Sequence, residues 1–186
     1  MRNPKLKPWL DSGIRRFAQY GLKGLNVKEM AQEINIATSS FYHYFNTKEE
    51  YLEQLLEYWH EEGSMKIIEE VFLEDEPEEA LKLLFNIVFN KGFIFESFLL
   101  QLRAASLDNE MFSSRVLETD KIRTTFLAAL FARTGLKEKE SRQKATQVYI
   151  YMVGVHAYNN LVPMKQEEKD QYIEGLKEIF GIDLRS

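Results

Sequence analysis

The feature that most constrains how this 186-residue chain can fold is the segment of residues 26–48, NVKEMAQEINIATSSFYHYFNTK. Its first part carries apolar residues at the spacing of a single helical face: Val27, Met30, Ala31 and Ile34. Asn26 can cap this helix, with Glu29 completing a capping box, and Asn35 can end it because asparagine tolerates a left-handed backbone. A second short helix follows, and Thr47 can cap a third, with Glu50 completing a capping box. The segment therefore predicts two short helices joined by a tight turn, with a longer helix directly after them.

The second short helix has two chemically different sides. One side is aromatic, with Phe41, Tyr44 and Phe45, and predicts an anchor in the core. The other side carries polar residues, namely Ser39, Ser40 and His43, with Tyr42 at its boundary. Such a side suits the DNA major groove, because small residues let the backbone approach and their polar atoms can meet base edges or phosphates. A solvated face on an ordinary helical hairpin has the same pattern, so spacing alone leaves both interpretations open.

Several short motifs occur together along residues 10–59: Phe17-Ala18, Gly21, Gly24, VKEMA at 27–31, FYHYF at 41–45 and TKEEYL at 47–52. In order, spacing and residue type they resemble the TetR family of transcriptional regulators. The resemblance implies that residues 39–45 form the recognition helix of a DNA-binding helix-turn-helix domain. Beyond residue 59 only the all-helical pattern and the length agree with that family.

Two positions depart from the family pattern. Asn35 stands where glycine is usual, a change that the turn can accept. Ala37 stands where a serine cap is frequent, so that either Thr38 caps the helix one residue late or the cap is missing. Which of the first polar residues meet bases is left open by this departure. The residues predicted to contact DNA are Lys28, Thr38, Ser39, Ser40, Tyr42, His43 and Lys48.

The charge of the chain is unevenly distributed. Residues 1–48 hold eight Lys or Arg and three Asp or Glu, whereas the remainder holds 16 basic and 26 acidic residues. A basic module on an acidic body is the electrostatic pattern expected of a DNA-binding protein, and a chance fluctuation is the alternative. The absence of cysteine excludes disulfides, thiol catalysis and cysteine-based metal sites.

Helical periodicity continues to the end of the chain, without the alternation typical of strands. We therefore predict an all-α fold, with an N-terminal three-helix helix-turn-helix module in residues 1–48. Residues 49–186 are predicted to form a helical bundle for ligand binding and dimerisation. The helix that begins near Lys48 is long enough to connect both parts, with a possible bend at Gly63-Ser64. No membrane-length apolar run or leader-like segment occurs, so a cytoplasmic protein without membrane contact is expected.

The last two predicted helices, about residues 137–162 and 166–180, carry extensive apolar surface. In the first, one face holds Ala145, Val148, Met152, Val155 and His156, and another holds Ile150, Val153, Gly154, Ala157 and Leu161. A helix that is apolar on two sides needs cover on both, from a second chain or from a further helix. The family resemblance implies that these two helices pair with their copies in a four-helix homodimer interface, and a monomer is the alternative.

The bundle also offers residues for a small-molecule pocket. Apolar walls are predicted from Phe85, Phe89, Phe98, Tyr149 and Met152, and orienting polar groups from Arg103, His156 and Asn159. An ordinary packed core is the alternative for each of them. Wall chemistry and family analogy together predict an apolar or aromatic effector of unknown identity. No catalytic, metal-ligating or nucleotide-binding motif is found, so neither enzymatic activity nor a cofactor is expected.

Two functions remain at the level of the sequence. The first is a repressor released from a palindromic operator by a small-molecule effector, which would tilt the connecting helix and spoil the spacing of two recognition helices. The second is a DNA-binding regulator controlled by a protein partner, without a small-molecule ligand. A cavity that reaches the connecting helix would favour the first, and a solid core with a large exposed apolar patch would favour the second.

Overall fold

The computed structural model describes residues 5–90, 93–159 and 164–182. Within these ranges the chain is helical and contains no strand, which confirms the all-α prediction. The helices are α1 Lys7–Tyr20, α2 Val27–Glu33, α3 Thr38–Tyr44, α4 Lys48–His60, α5 Lys66–Phe72, α6 Pro77–Asn90, α7 Phe93–Ala105, α8 Glu110–Arg133, α9 Glu138–Tyr158 and α10 Gln166–Phe180.

The first three helices pack around a core of large aromatic side chains. Phe41 is fully buried, and its ring centroid lies 5.3 Å from that of Trp9 and 5.0 Å from that of Tyr51. From α7, the ring of Phe98 stacks on that of Trp59 at 5.3 Å. The helix-turn-helix module is therefore held by α4 and α7 as well as by its own helices. The division of the chain after residue 48 stays a prediction, since this core draws on residues from both sides of it.

A continuous helical connector links the module to the rest of the chain. Helix α4 passes through a π turn at Glu61–Met65 directly into α5. Gly63 lies in this turn against α7, where a β-carbon on it would be only 3.0 Å from Cβ of Phe95. The sequence predicts a bend at this place, and the structure has the π turn there, in which one extra residue widens the helix. The connector runs from the end of the helix-turn-helix module into the bundle.

A second core is formed by α5, α6, α8, α9 and α10. Its most deeply buried side chains include Phe85, Leu130, Phe131, Val148 and Leu176. Helix α9 ends at Tyr158, and the predicted continuation with Leu161 and Val162 lies outside the described residues. Across the described ranges, no single helix is both long and apolar enough to cross a membrane; α6 and the segment Phe93–Asp108 reach that length and composition only as a bent pair.

Candidate nucleic-acid interface and effector cavity

Two asparagines shape the connection between α2 and α3. The Asn26 side-chain oxygen accepts hydrogen bonds from the backbone N–H groups of Lys28 and Glu29, at 3.0 and 3.3 Å. Asn35 has a φ of 53°, the left-handed conformation that the sequence predicts for it. Glu29 does not reach back to the cap but accepts a hydrogen bond from Arg16 of α1. The start of α2 and the turn after it are thus fixed by local residue preferences.

The predicted recognition helix is observed as α3, and no side chain caps it. Ala37 occupies the cap position, where its carbonyl accepts a hydrogen bond from the N–H of Ser40 at 2.9 Å. Of the two alternatives left open by the sequence, the missing cap is the one observed. Thr38 is therefore the first residue of the helix, and both Thr38 and Ser39 are exposed.

Helix α3 buries its aromatic side and presents its polar side. Phe41 and Phe45 are completely buried, with their ring centroids 4.9 Å apart. Of the residues predicted to contact DNA, Ser40 is half-buried and the others are exposed: Lys28, Thr38, Ser39, Tyr42, His43 and Lys48. Lys28, Thr38 and Tyr42 line one shallow groove between α2 and α3. The two small helices therefore present a polar, partly basic surface to solvent.

Lys48 is the first residue of α4, next to the cap residue Thr47. The Thr47 hydroxyl accepts a hydrogen bond from the Glu50 N–H at 3.0 Å. The Glu50 carboxylate accepts from the backbone N–H of Asn46 at 2.9 Å, rather than from that of Thr47 as a capping box requires. An exposed lysine at the N-terminus of a helix combines free amides, the helix dipole and a positive charge, which suits a phosphate.

Two arginines of α1 are engaged within the module. Arg15 donates hydrogen bonds to Glu33 of α2 at 2.7 and 3.0 Å. Arg16 donates to the Gly24 carbonyl at 2.7 Å and pairs with Glu29. These ion pairs tie α1 to α2, so a phosphate contact by either arginine would require breaking them.

A cavity lies between the connector and helices α6, α7, α8 and α9. Its volume is about 80 Å³, taken as the space that the centre of a water molecule can reach, and most of its lining is apolar. The connector contributes Gly63, Ser64, Ile67 and Ile68. Three of the predicted ligand-binding residues line it: Phe85, Tyr149 and Met152. The bundle therefore contains an apolar space that reaches the connector.

The other predicted wall residues lie away from this lining. Phe98 belongs to the first core, between Phe17 and Trp59. Phe89 lies against His156, with 6.3 Å between ring centroids. His156 is 2 % exposed, and neither ring nitrogen has a hydrogen-bond partner among the described residues. Burial lowers the pKa of His156, because desolvation disfavours the charged form of its ring.

The two remaining predicted polar residues are occupied by contacts within the fold. Arg103 forms an ion pair with Asp120, with N–O distances of 2.5 and 2.9 Å. The hydroxyl of Tyr149 donates to the same carboxylate at 2.7 Å. Asn159 donates to the hydroxyl of Tyr172 at 3.0 Å. The structure thus brings only part of the predicted ligand-binding set to the cavity.

Two charged residues at the cavity are absent from the set predicted from the sequence. Glu96 and Arg123 both line it and form a buried ion pair, with Nη1–Oε distances of 2.9 and 3.1 Å. Burial opposes the charge of Arg123, but the neighbouring carboxylate outweighs it and raises the pKa of the guanidinium. A sequence signal exists, because Glu96 is the one charge in the apolar run FIFESFLL, where an unpaired charge is costly.

These features define a helix-turn-helix protein. They are the cap at the start of α2, the turn at Asn35, and helix α3, which buries its aromatic side and exposes its polar side. A family model described as bacterial regulatory proteins, tetR family, matches residues 10–55. The N-terminal part of the chain therefore matches the TetR family of transcriptional regulators, which agrees with the resemblance that its motifs indicate.

Individual proteins are also similar to this chain in sequence or in fold. The chain is 32% identical over 108 residues to the "Uncharacterized HTH-type transcriptional regulator YuxN" of Bacillus subtilis, a match that covers 55% of this chain and 36% of that protein. The matched region thus spans about a third of the length of that relative. A transcriptional regulator from Rhodococcus sp. Rha1 has a similar structure, with a TM-score of 0.75, 15% identity and 95% of both chains covered. The fatty acid degradation regulator FadR of Bacillus halodurans gives a TM-score of 0.74 and 21% identity, covering 100% of this chain and 98% of that one. At these identities the two structural neighbours show the fold alone.

Proposed function

We propose that the protein is a homodimeric repressor that binds a palindromic DNA operator and is released from it by a small-molecule effector. The observation that carries the proposal is the connector. One continuous helical element begins at Lys48, beside the recognition helix, and lines the cavity with Ser64 and Ile67. A ligand that changes the shape of the cavity would therefore act on the element that positions the DNA-binding module.

The exposed side of α3 supports the assignment of DNA as partner. Its short polar side chains can approach base edges, while Phe41 and Phe45 hold the helix firmly on the core. Lys28 and Lys48 add positive charge on either side of α3 in the sequence, where phosphates would lie. The contact residues proposed are those predicted from the sequence.

An exposed apolar face supports a homodimer through α9 and α10. Ile150 and Tyr158 of α9 are 64 % and 86 % exposed, and Ile179 of α10 is also exposed. Gly154 and Ala157 lie on the same exposed side of α9, and a β-carbon on Gly154 would meet no atom within 4 Å. Apolar residues of this size on two adjacent helices are best covered by a second copy, as is typical of the family.

The cavity favours a small-molecule effector over control by a protein. Apart from Arg123 and the Tyr149 hydroxyl, its lining from α6, α8 and α9 is apolar, which suits an apolar or aromatic compound. One neighbour of the fold is titled a regulator of fatty acid degradation, a description that belongs to that protein. For this chain the effector is proposed from the cavity alone.

Control by a protein partner is the second candidate, favoured by one observation. Phe72 and Leu73, at the far end of the connector, are 72 % and 82 % exposed. A partner that covers both side chains could move the connector without entering the cavity. Loss of partner binding in Leu73→Ser, with unchanged response to every small molecule, would favour this alternative.

Selection from random duplexes tests the proposed function. We expect the full chain to select an inverted repeat whose half-sites are centred about one helical turn, or roughly 34–36 Å, apart, because two linked recognition helices must enter successive major grooves. Recovery of only asymmetric duplexes, or of single-stranded DNA, would contradict the proposal.

A further inference from the structure

The charged end of the cavity is organised around Arg123. The side chain donates from Nε to the Ser64 hydroxyl at 2.9 Å, from Nη2 to the Gly63 carbonyl at 2.9 Å, and from Nη1 to both oxygens of Glu96. Its guanidinium also lies 5.8 Å from the centre of the Trp59 ring. Arg123 of α8 is therefore held in place by the connector and by α7.

Glu96 is held less firmly than its partner. Among the described residues its carboxylate accepts hydrogen bonds only from Arg123, whereas Arg123 has two further acceptors on the connector. The Ser64 hydroxyl accepts from Arg123, and its own proton has no acceptor within the described part of the chain. An entering carboxylate would thus find a fixed guanidinium and an unused hydroxyl donor, with Glu96 as its competitor.

We propose that the effector of this cavity is a compact acid, with an apolar body and one carboxylate that replaces the carboxylate of Glu96 on Arg123. The inference rests on the proposed function, because it takes the cavity to be the effector site. In the empty protein Glu96 neutralises a guanidinium that would otherwise be buried alone, and after the exchange the displaced Glu96 carboxyl would take up a proton because it has lost its cationic partner. The apolar walls would take the body of the acid, and Arg123 would take its head through charge-assisted hydrogen bonds.

Other head groups suit this site less well. A cationic head would have to approach Glu96 beside Arg123, a like charge that the connector holds in place. A neutral hydroxyl that broke the ion pair would leave both buried charges poorly compensated. The space, about 80 Å³ for the centre of a water molecule, suits a compact apolar body.

Arg123 also connects such a ligand to the DNA-binding module. Its hydrogen bonds to Gly63 and Ser64 end on the π turn of the connector. A carboxylate placed differently from that of Glu96 would shift the guanidinium from its present position and so weaken these two bonds to the π turn. Acid binding would therefore loosen the connector at the turn that leads back through α4 to Lys48.

Calorimetric titration of the full chain tests the inference with three probes of equal length: octanoate, octan-1-ol and octylamine. No DNA is present. The wild-type protein should bind octanoate most tightly and octylamine most weakly. In Glu96→Gln the affinity for octanoate should rise about tenfold, the order of one hydrogen bond to a charged group, because the competing carboxylate is gone. The affinity for octan-1-ol should stay unchanged.

Two further variants control the experiment. Glu138→Gln removes a carboxylate from an exposed ion pair with Arg142 and should leave all three affinities unchanged. The double variant Glu96→Gln/Arg123→Gln keeps the cavity free of charge and should lose the preference for octanoate over octan-1-ol.

Any one of three results would overturn the inference. The first is a preference for octylamine, and the second is equal affinity for octanoate and octan-1-ol in both wild type and Glu96→Gln. The third is that no probe binds. Because the titrations contain no DNA, such a result leaves operator recognition standing as a separate claim. If the duplex selection fails while the preference for octanoate is retained, the proposed DNA-binding function is contradicted instead.

Discussion

The exposed residues around α3 differ in how they can contact DNA. Lys48 carries a flexible point charge at the N-terminus of α4, which suits a phosphate but has no base-reading geometry. Ser39, Ser40 and His43 have short, directional hydrogen-bonding groups that suit base edges. Tyr42, which is also exposed, can donate its hydroxyl to the DNA backbone. Affinity and sequence preference should therefore reside in different side chains.

Replacing Lys48 with Ala should weaken binding to all duplexes similarly and lower the dependence of log affinity on log salt by roughly one unit. Substituting whichever of Ser39, Ser40 and His43 reads a base should change the preferred base at one position, by about 1–3 kcal/mol. The measurement is affinity against salt concentration, for the selected site and for its single-base variants.

A matched control is Lys66→Ala, because Lys66 is an exposed lysine on the connector that pairs with Glu62. It should leave the salt dependence unchanged. If Lys48→Ala alters the base preference while none of the three serine and histidine variants does, α3 is oriented differently on DNA.

Local residue chemistry could be predicted from the sequence, and long-range pairing could not. The cap at Asn26 and the positive φ of Asn35 follow from the preferences of asparagine itself. The partner of Glu29 is Arg16 on another helix, and periodicity gives no rule for such a choice. The pairing of Glu96 with Arg123, 27 residues away, depends on how α7 and α8 pack.

At the scale of whole elements, α1 and α4 cross at a glycine. Gly13 lies in the middle of α1, and a β-carbon there would be 2.0 Å from the Tyr51 hydroxyl and 2.9 Å from Cδ1 of Leu55. The Tyr51 hydroxyl in turn donates a hydrogen bond to the carbonyl of Trp9 at 2.9 Å. Close approach of the two helices, rather than backbone conformation, therefore requires glycine at this position.

Gly13→Ala should destabilise the protein by about 1–3 kcal/mol, because the added methyl group overpacks the crossing. Tyr51→Phe alone should cost about 1 kcal/mol through the lost hydrogen bond to Trp9. In the double variant the hydroxyl that meets the methyl group is absent. The loss in free energy of unfolding should therefore be smaller than the sum of the losses in the two single variants. Urea denaturation of the four proteins measures this coupling, and strictly additive losses would contradict the packing described.

The helices themselves are largely predictable, because runs of apolar residues at helical spacing end at Gly21, Asn35 and Asn109. The π turn of the connector is not. Its sequence, EEGSM, predicts only a bend in the helix. The wider turn results from the contact of Gly63 with Phe95 and from the hydrogen bond that Arg123 donates to Gly63. The cavity depends on the same contacts, which is why only some of its lining could be predicted.

At the scale of the whole molecule, two hydrophobic cores are joined by one connector. The first core holds the basic helix-turn-helix module, and the second belongs to the acidic bundle with its exposed apolar face on α9 and α10. The sequence predicts this face from the two-sided apolar pattern of α9. The side that holds Val148 is buried within the chain, and the side that holds Ile150 is exposed. In the proposed dimer the exposed side sets the distance between the two recognition helices.

The central claim is that the protein binds its operator as a dimer. Sedimentation velocity of a labelled inverted-repeat duplex, titrated with wild type or Ala157→Arg, tests this claim most directly. Ala157 lies on the exposed face of α9, where an arginine is harmless in a monomer but would bury an unpaired charge in a dimer. We predict that the wild type adds two protomers to the duplex in one step and sediments as a dimer at micromolar concentration without DNA. Ala157→Arg should be a monomer and bind the duplex weakly, one protomer at a time. Wild-type protein that sediments as a monomer and adds singly, or a variant that behaves like wild type, would contradict the dimeric account.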